Sequence, residues 1–300
     1  MSAPTLLVLT GPTASGKTAA AIRWAEQLRT EIVSADSRQL YREMRIGTAA
    51  PDEAELRRVP HHFIGNRSIH EPYNVYRYEQ EAMDLLQELF QHHDYVILAG
   101  GSGLYIDAVC NGIDLLPDPD PALRETLHRM LREDRKEELL HMLKEKDPDY
   151  YAIVDQSNPV RLIRALEVCI QTGQSFTSLR KSQQKQRPFR IRKFCLNLPK
   201  ETLYQRIDER VDRMMRQGLE EEARALYPYR QLNALNTVGY KELFAHFDGQ
   251  CSLEESVQAI KNNTHHYAKR QITWFKRDTS YQWISPESPF NETDKTEASA

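Results

Sequence analysis

Eight residues near the start of the chain, Gly11, Pro12, Thr13, Ala14, Ser15, Gly16, Lys17 and Thr18, match the spacing GxxxxGK[ST]. The chemistry they offer is capture of a di- or triphosphate. Gly11 and Gly16 let the backbone curl so that its N–H groups face an anion. Lys17 adds a point charge, and the N-terminus of the following helix adds its dipole. The hydroxyl of Thr18 suits Mg²⁺. The motif names a phosphate and not ATP. An NTP-hydrolysing site also wants an acidic residue at the end of a second strand. Here DYVILAGGSGLY (94–105) ends in Gly100, Gly101, Ser102 and Gly103, a composition for close approach to a ligand.

A second constellation lies in SADSRQLY (34–41). Asp36 at the carboxyl end of a parallel strand faces the crevice where ligands bind. It suits a general base or an acceptor for an incoming nucleophile, and equally a helix N-cap or turn. Ser37 and Gln39 beside it favour recognition, since Gln pairs with the edge of an adenine. Two stretches are locally basic and free of acids, RKSQQKQRPFRIRK (180–193) and KNNTHHYAKRQITWFKR (261–277). Cations beside aromatics are the composition of single-stranded RNA binding. A solvated face explains the same charge, and Trp274 and Phe275 read as core. Arg161 and Arg164 share a helix face at i, i+3, placed to clamp phosphate or to pair with acidic neighbours.

These residues need a scaffold, and the apolar pattern supplies one. TLLVLT (5–10), EIVSA (31–35) and DYVILAGG (94–101) are continuous apolar runs, with helical spacing over Lys17–Arg29 and over 73–90. Buried strands separated by helices predict an α/β fold with a parallel sheet. At LLPDPDP (115–121) the chain turns helical and charge-rich, and RPFRIRKFCLNLP (187–199) restores a strand. The pattern predicts a core of 1–117 and 190–286, a helical insertion at 118–189, and a disordered tail at 287–300. Helices are expected over 202–218 and 219–227, from Gly239 and over 253–276.

Net charge is −3 in 300 residues, so any polyanion site is a local patch. The four cysteines, Cys110, Cys169, Cys195 and Cys251, form no CxxC pair, which argues against a disulfide framework or a zinc site. No run approaches a membrane span of about 20 apolar residues, and a cytoplasmic monomer is expected.

Taken in order, GPTASGKT (11–18), SADSRQLY (34–41), IGTAAP (46–51), PHH (60–62), GGSGLY (100–105), NPVRLIRALEV (158–168), LYQRIDERVDRM (203–214), VGYKE (238–242) and YAKRQITWFKR (267–277) resemble the tRNA dimethylallyltransferase family over residues 5–284. The resemblance implies a P-loop kinase-like core and a helical insert that closes on the tRNA anticodon stem-loop. It implies transfer of a dimethylallyl group from dimethylallyl diphosphate to N6 of the adenosine 3′ to the anticodon, in tRNAs reading codons that start with U. Lys17, Thr18 and Arg210 would hold diphosphate and Mg²⁺, and Asp36 would accept the N6 proton. Ser37, Arg38 and Gln39 would recognise adenine. Ser102 would act beside the target nucleotide. Arg124, Val160, Arg161, Leu162, Ile163, Arg164, Gly239, Lys241, Lys269 and Arg270 would contact tRNA. Arg38 stands where members often have Met, Ser102 where most have Thr, and His265 where Arg is usual. The alternatives are a nucleoside or small-molecule kinase, a prenyltransferase acting on free adenine nucleotides, and a non-catalytic RNA-binding module.

Overall fold

The computed structural model describes residues 3–180 and 184–291. Six strands, β1 (Thr5–Thr10), β2 (Ile32–Ser34), β3 (His61–His62), β4 (Tyr95–Ala99), β5 (Arg190–Leu196) and β6 (Tyr281–Ile284), form one sheet in the order β3-β2-β4-β1-β5-β6. Every pairing is parallel. All of β1 is buried. The two-residue period of a strand sends Leu6 and Val8 into the core on one face and Leu7 and Leu9 into the core on the other. Burial on both faces is why these strands read as continuous apolar runs.

Helix α1 (Lys17–Leu28) packs on one face; α3 (Val75–Leu89) and α4 (Gly103–Asn111) pack on the other. A short α2 (Glu53–Arg58) precedes β3, closed by a capping box from Asp52 and Glu55. Helices α5 (Pro121–Arg132), α6 (Lys136–Lys146), α7 (Pro148–Ile153), α8 (Pro159–Thr172) and α9 (Phe176–Leu179) follow, with a core of their own. After β5 come α10 (Lys200–Arg216), α11 (Leu219–Leu226), α12 (Tyr240–Phe247) and α13 (Leu253–Phe275).

The chain divides into two compact units, Met1–Cys110 with Gln186–Ala300, and Asn111–Lys185. The inserted unit begins before the proline-aspartate run. It closes where Lys185 N donates to Asn111 O at 2.8 Å. Residues 186–189, expected in the insertion, belong to the core: Phe189 is buried against Phe90, and Arg187 pairs with Glu79 at 2.8 Å.

The expected disordered tail is corrected over 287–291. Trp24 Nε1 donates to Ser288 O (3.1 Å) and Gln27 Nε2 to Phe290 O (2.7 Å). The Phe290 ring is 1% exposed, packed on Trp24 and Tyr95. One aromatic and two backbone carbonyls hold this segment, so its polar composition hides the packing. Residues 292–300 lie outside the described residues.

Candidate active site

The carboxyl ends of β1, β2 and β4 carry the three loops that sequence analysis singled out, and these loops meet. Helix α1 starts just after its cap residue Gly16, whose φ of 91° lies in the left-handed region, with no side-chain cap. Its first N–H groups are therefore left for a ligand. Gly11 through Thr18 wrap this end; Ala14 also has positive φ (62°), and the buried Ser15 Oγ has no hydrogen-bond partner among the described residues. Lys17 Nζ donates to Gly11 O (3.0 Å) and Pro12 O (2.8 Å). Arg210, from α10, reaches Thr13 Oγ1 at 3.4 Å. Burial chiefly, and the neighbouring Arg210 next, lower the Lys17 pKa to about 8, with Asp36 opposing. Burial, then Arg213, also lowers that of Arg210. Two half-buried cations beside uncapped N–H groups favour a polyanion.

One residue here escaped sequence reasoning as a site residue. Gln271 of α13 accepts from Thr13 N (2.8 Å) through Oε1 and donates to Gly101 O (2.8 Å) through Nε2. It ties the phosphate loop to the loop after β4. A Cβ on Gly101 would lie 2.4 Å from its amide nitrogen, so that approach needs glycine. The signal was a buried stripe at Ala268, Gln271 and Phe275, spaced i, i+3, i+7 with one polar member.

Across the crevice, Asp36 Oδ1 accepts from the N–H groups of Arg38 (2.9 Å) and Gln39 (3.2 Å). The turn-capping role is present, and Oδ2 accepts no hydrogen bond from the described residues. Ser102 Oγ accepts from Ser37 N (2.9 Å) and donates to Ser37 Oγ (3.1 Å), joining the loops after β2 and β4. Gln39 Nε2 donates to Thr48 O and Ala49 O. Its amide thus fastens the IGTAAP loop instead of being free to read an adenine edge. Glu222 holds the same loop from α11, accepting from Ile46 N, Gly47 N and the hydroxyl of Tyr240. Arg38 Nη1 donates to Asn233 O at 3.0 Å.

Ser102 lies outside the lining, but Lys17, Asp36, Ser37, Arg38, Gln39, Arg210 and Gln271, with Thr18, Gly239, Lys241, Tyr267 and Arg270, line a crevice of about 1240 Å³ in the core unit. That exceeds the ~300–1,000 Å³ of a site for one small ligand. Arg270 sits 5.8 Å above the ring of Tyr267. Lys269 is exposed and outside the lining.

In the insert the expected contacts divide. Val160 is 71% exposed and Arg161 is exposed, but Leu162 and Ile163 are buried in the insert core, which corrects their reading as contact side chains. Arg124 is bidentate on the fully buried Glu167 (2.5 and 2.7 Å), and Arg164 Nη1 lies 3.5 Å from the same carboxylate. The basic stretches also narrow. Lys193 pairs with Asp278 and Lys261 with Asp212. His265 stacks on Tyr204 at 4.1 Å and lies 2.9 Å from Asp208. Phe275 is core and Trp274 donates to Asp107, as expected of an inward pair. Lys181 lies outside the described residues.

Residues 39–278 match the model of the IPP transferase family. The chain is similar to tRNA dimethylallyltransferase 1 of Bacteroides thetaiotaomicron, 50% identical over 284 residues that cover 95% of this chain and 92% of the relative. Against the tRNA dimethylallyltransferase of Christiangramia forsetii identity is 48%, covering 97% and 95%. Among solved structures, the full-length tRNA isopentenylpyrophosphate transferase of Bacillus halodurans superposes with a TM-score of 0.69 at 32% identity, covering 97% of this chain and 93% of that one. The sheet order, the phosphate loop between β1 and α1 and the inserted helices are thus those of a P-loop kinase-like fold, and the chain belongs to the IPP transferase family.

Proposed function

We infer that this chain transfers a dimethylallyl group from dimethylallyl diphosphate to N6 of the adenosine 3′ to the anticodon, in tRNAs reading codons that start with U, releasing diphosphate. The names of its relatives support the reaction. The observation that carries it is the pairing of Lys17 and Arg210 over an uncapped helix N-terminus, with Asp36 on the facing loop.

The C1–O bond of the allylic diphosphate breaks and its electron pair leaves with the diphosphate. Lys17, Arg210 and the loop N–H groups stabilise that leaving charge. The N6 lone pair bonds to C1, and the proton of N6 passes to Asp36 Oδ2. The crevice brings N6 to C1 and limits water. A target base inside a stacked anticodon loop must turn out to enter. Tyr267 with Arg270 above it offers a plane to receive the base. Bound Mg²⁺ would neutralise the diphosphate. Among the described residues no three His, Cys, Asp or Glu side chains gather to hold a metal. The fit is therefore to Thr18 and the diphosphate oxygens together. Ser102 serves by fixing Ser37 beside Asp36.

A kinase would share Asp36, but ATP hydrolysis finds no acid at the end of β4, which runs into Gly100 and Gly101. Among the described residues no helix is long and apolar enough to cross a membrane. The test is labelled dimethylallyl diphosphate with Mg²⁺ and either unmodified tRNA or AMP. Label at N6 of one adenosine in tRNA alone is expected. Label in AMP would move the chain to the free-nucleotide enzymes.

A further inference from the structure

Helix α1 presents its first turn to the phosphate loop, yet little in its own sequence fastens it. No side chain caps its N-terminus, and no acidic residue lies in its first turn. Three of its five buried residues are alanines, Ala20, Ala21 and Ala25. Such small side chains bury little area and interlock weakly with the sheet. The large anchor is Trp24, 1% exposed and edge-on to Phe194 of β5 at 5.1 Å.

Residues 284–290 supply what the helix lacks. Ile284 ends β6 in register with Leu196, and its carbonyl accepts from Asn197 N at 2.8 Å. Because β6 runs parallel to the rest of the sheet, the segment starts at the same edge as the phosphate loop. Pro286 is buried and comes within van der Waals reach of Gly16, where a Cβ would lie 3.7 Å from Pro286 Cβ. Arg23 Nη2 then donates to Pro286 O, Trp24 Nε1 to Ser288 O (3.1 Å) and Gln27 Nε2 to Phe290 O (2.7 Å). The segment thus runs alongside α1 in the helix's own direction. Its end is the Phe290 ring, 5.4 Å from Trp24 and 5.9 Å from Tyr95 of β4, which pins the helix to the sheet. Ser288 O is the one acceptor of the Trp24 indole among the described residues. A buried indole N–H needs that partner.

We propose that this segment is a strap that positions the donor site, with Phe290 and Trp24 as its positioning residues. Neither lines the crevice, so both act through α1. They keep its first N–H groups aimed at the diphosphate. A small shift of the helix end would lengthen several of those hydrogen bonds together. The assignment rests on the donor reading given above.

The test measures binding of inorganic diphosphate with Mg²⁺ by calorimetry, and KM for dimethylallyl diphosphate and for tRNA. The proteins are wild type, Phe290→Ala, Phe290→Leu and Trp24→Phe, each checked for folding by circular dichroism. Phe290→Ala is expected to weaken diphosphate binding and raise KM for the donor about tenfold, with KM for tRNA within about twofold. Phe290→Leu refills most of the space and should recover most of that loss. Trp24→Phe keeps an aromatic ring and loses the bond to Ser288 O, for an expected loss of about threefold. It decides the question alone if Phe290→Ala does not fold. Folded variants that melt earlier but bind diphosphate as wild type does would leave the segment a stabilising element only and overturn the proposal. Wild type that binds no diphosphate would overturn the donor reading, and this assignment with it.

Discussion

Arg210 in the core reaches Thr13 Oγ1 with no carboxylate at ion-pair distance among the described residues, whereas Arg124 in the insert closes both arms of its guanidinium on Glu167. Both sit in helices of mixed charge, and both looked equally able to meet phosphate. The difference is what desolvates them. Arg210 and Lys17 are half-buried beside each other and partly desolvated, so their charge is costly until an anion arrives. Arg124 is matched by a carboxylate that is itself fully buried and needs it. A cation held for a ligand and a cation consumed by the fold are separated by the partner and not by the residue type.

The largest expected effect lies on the core side of this contrast. Lys17→Ala should abolish transfer and leave tRNA affinity within twofold (on the order of 0.4 kcal/mol) in a filter-binding assay. Lost tRNA binding would show that the loop serves the nucleic acid. Asp36→Ala should slow single-turnover transfer by ~10²–10⁴, and an unchanged rate removes Asp36 from proton transfer. On the insert side, Arg124→Ala should cost about 2 kcal/mol in urea unfolding. That is below the ~3–5 kcal/mol for a fully buried pair because Arg124 is partly exposed. Arg161→Ala should leave stability within ~0.5 kcal/mol but lower the salt dependence of tRNA binding by about one phosphate. Equal stability losses in both would erase the distinction.

A pH response returns to the core side. A lysine whose pKa is lowered to about 8 is charged below that pH and neutral above it. The kcat/KM for the donor should therefore fall up to about tenfold per pH unit above pH 8. The kcat should stay flatter, because bound diphosphate favours the charged form. A flat kcat/KM from pH 7 to 9.5 would contradict the role given to Lys17.

The phosphate loop was legible in the sequence because it depends on local spacing, and the sheet because both faces of its strands are buried. The insert's helices were legible from composition. Contacts between residues distant in the chain were not. Arg124 and Glu167 are 43 residues apart, and Gln271 meets Thr13 across 258. No local pattern records either pair. Gln39 shows the same limit at short range. Its type suits an adenine edge, yet the turn at Ala49, with a positive φ of 48°, brings two carbonyls to its amide. The tail failed for a related reason, since Phe290 supplies one buried ring to a segment otherwise polar.

The most direct test of the central claim is to follow leaving groups with wild-type protein, Mg²⁺, dimethylallyl diphosphate, ATP and unmodified tRNA together. Diphosphate released only when tRNA is present, one for each prenyl group gained by tRNA, with ATP left intact, is the expected result. Phosphate released from ATP, with the allylic donor unchanged, would contradict the assignment of this loop to the donor.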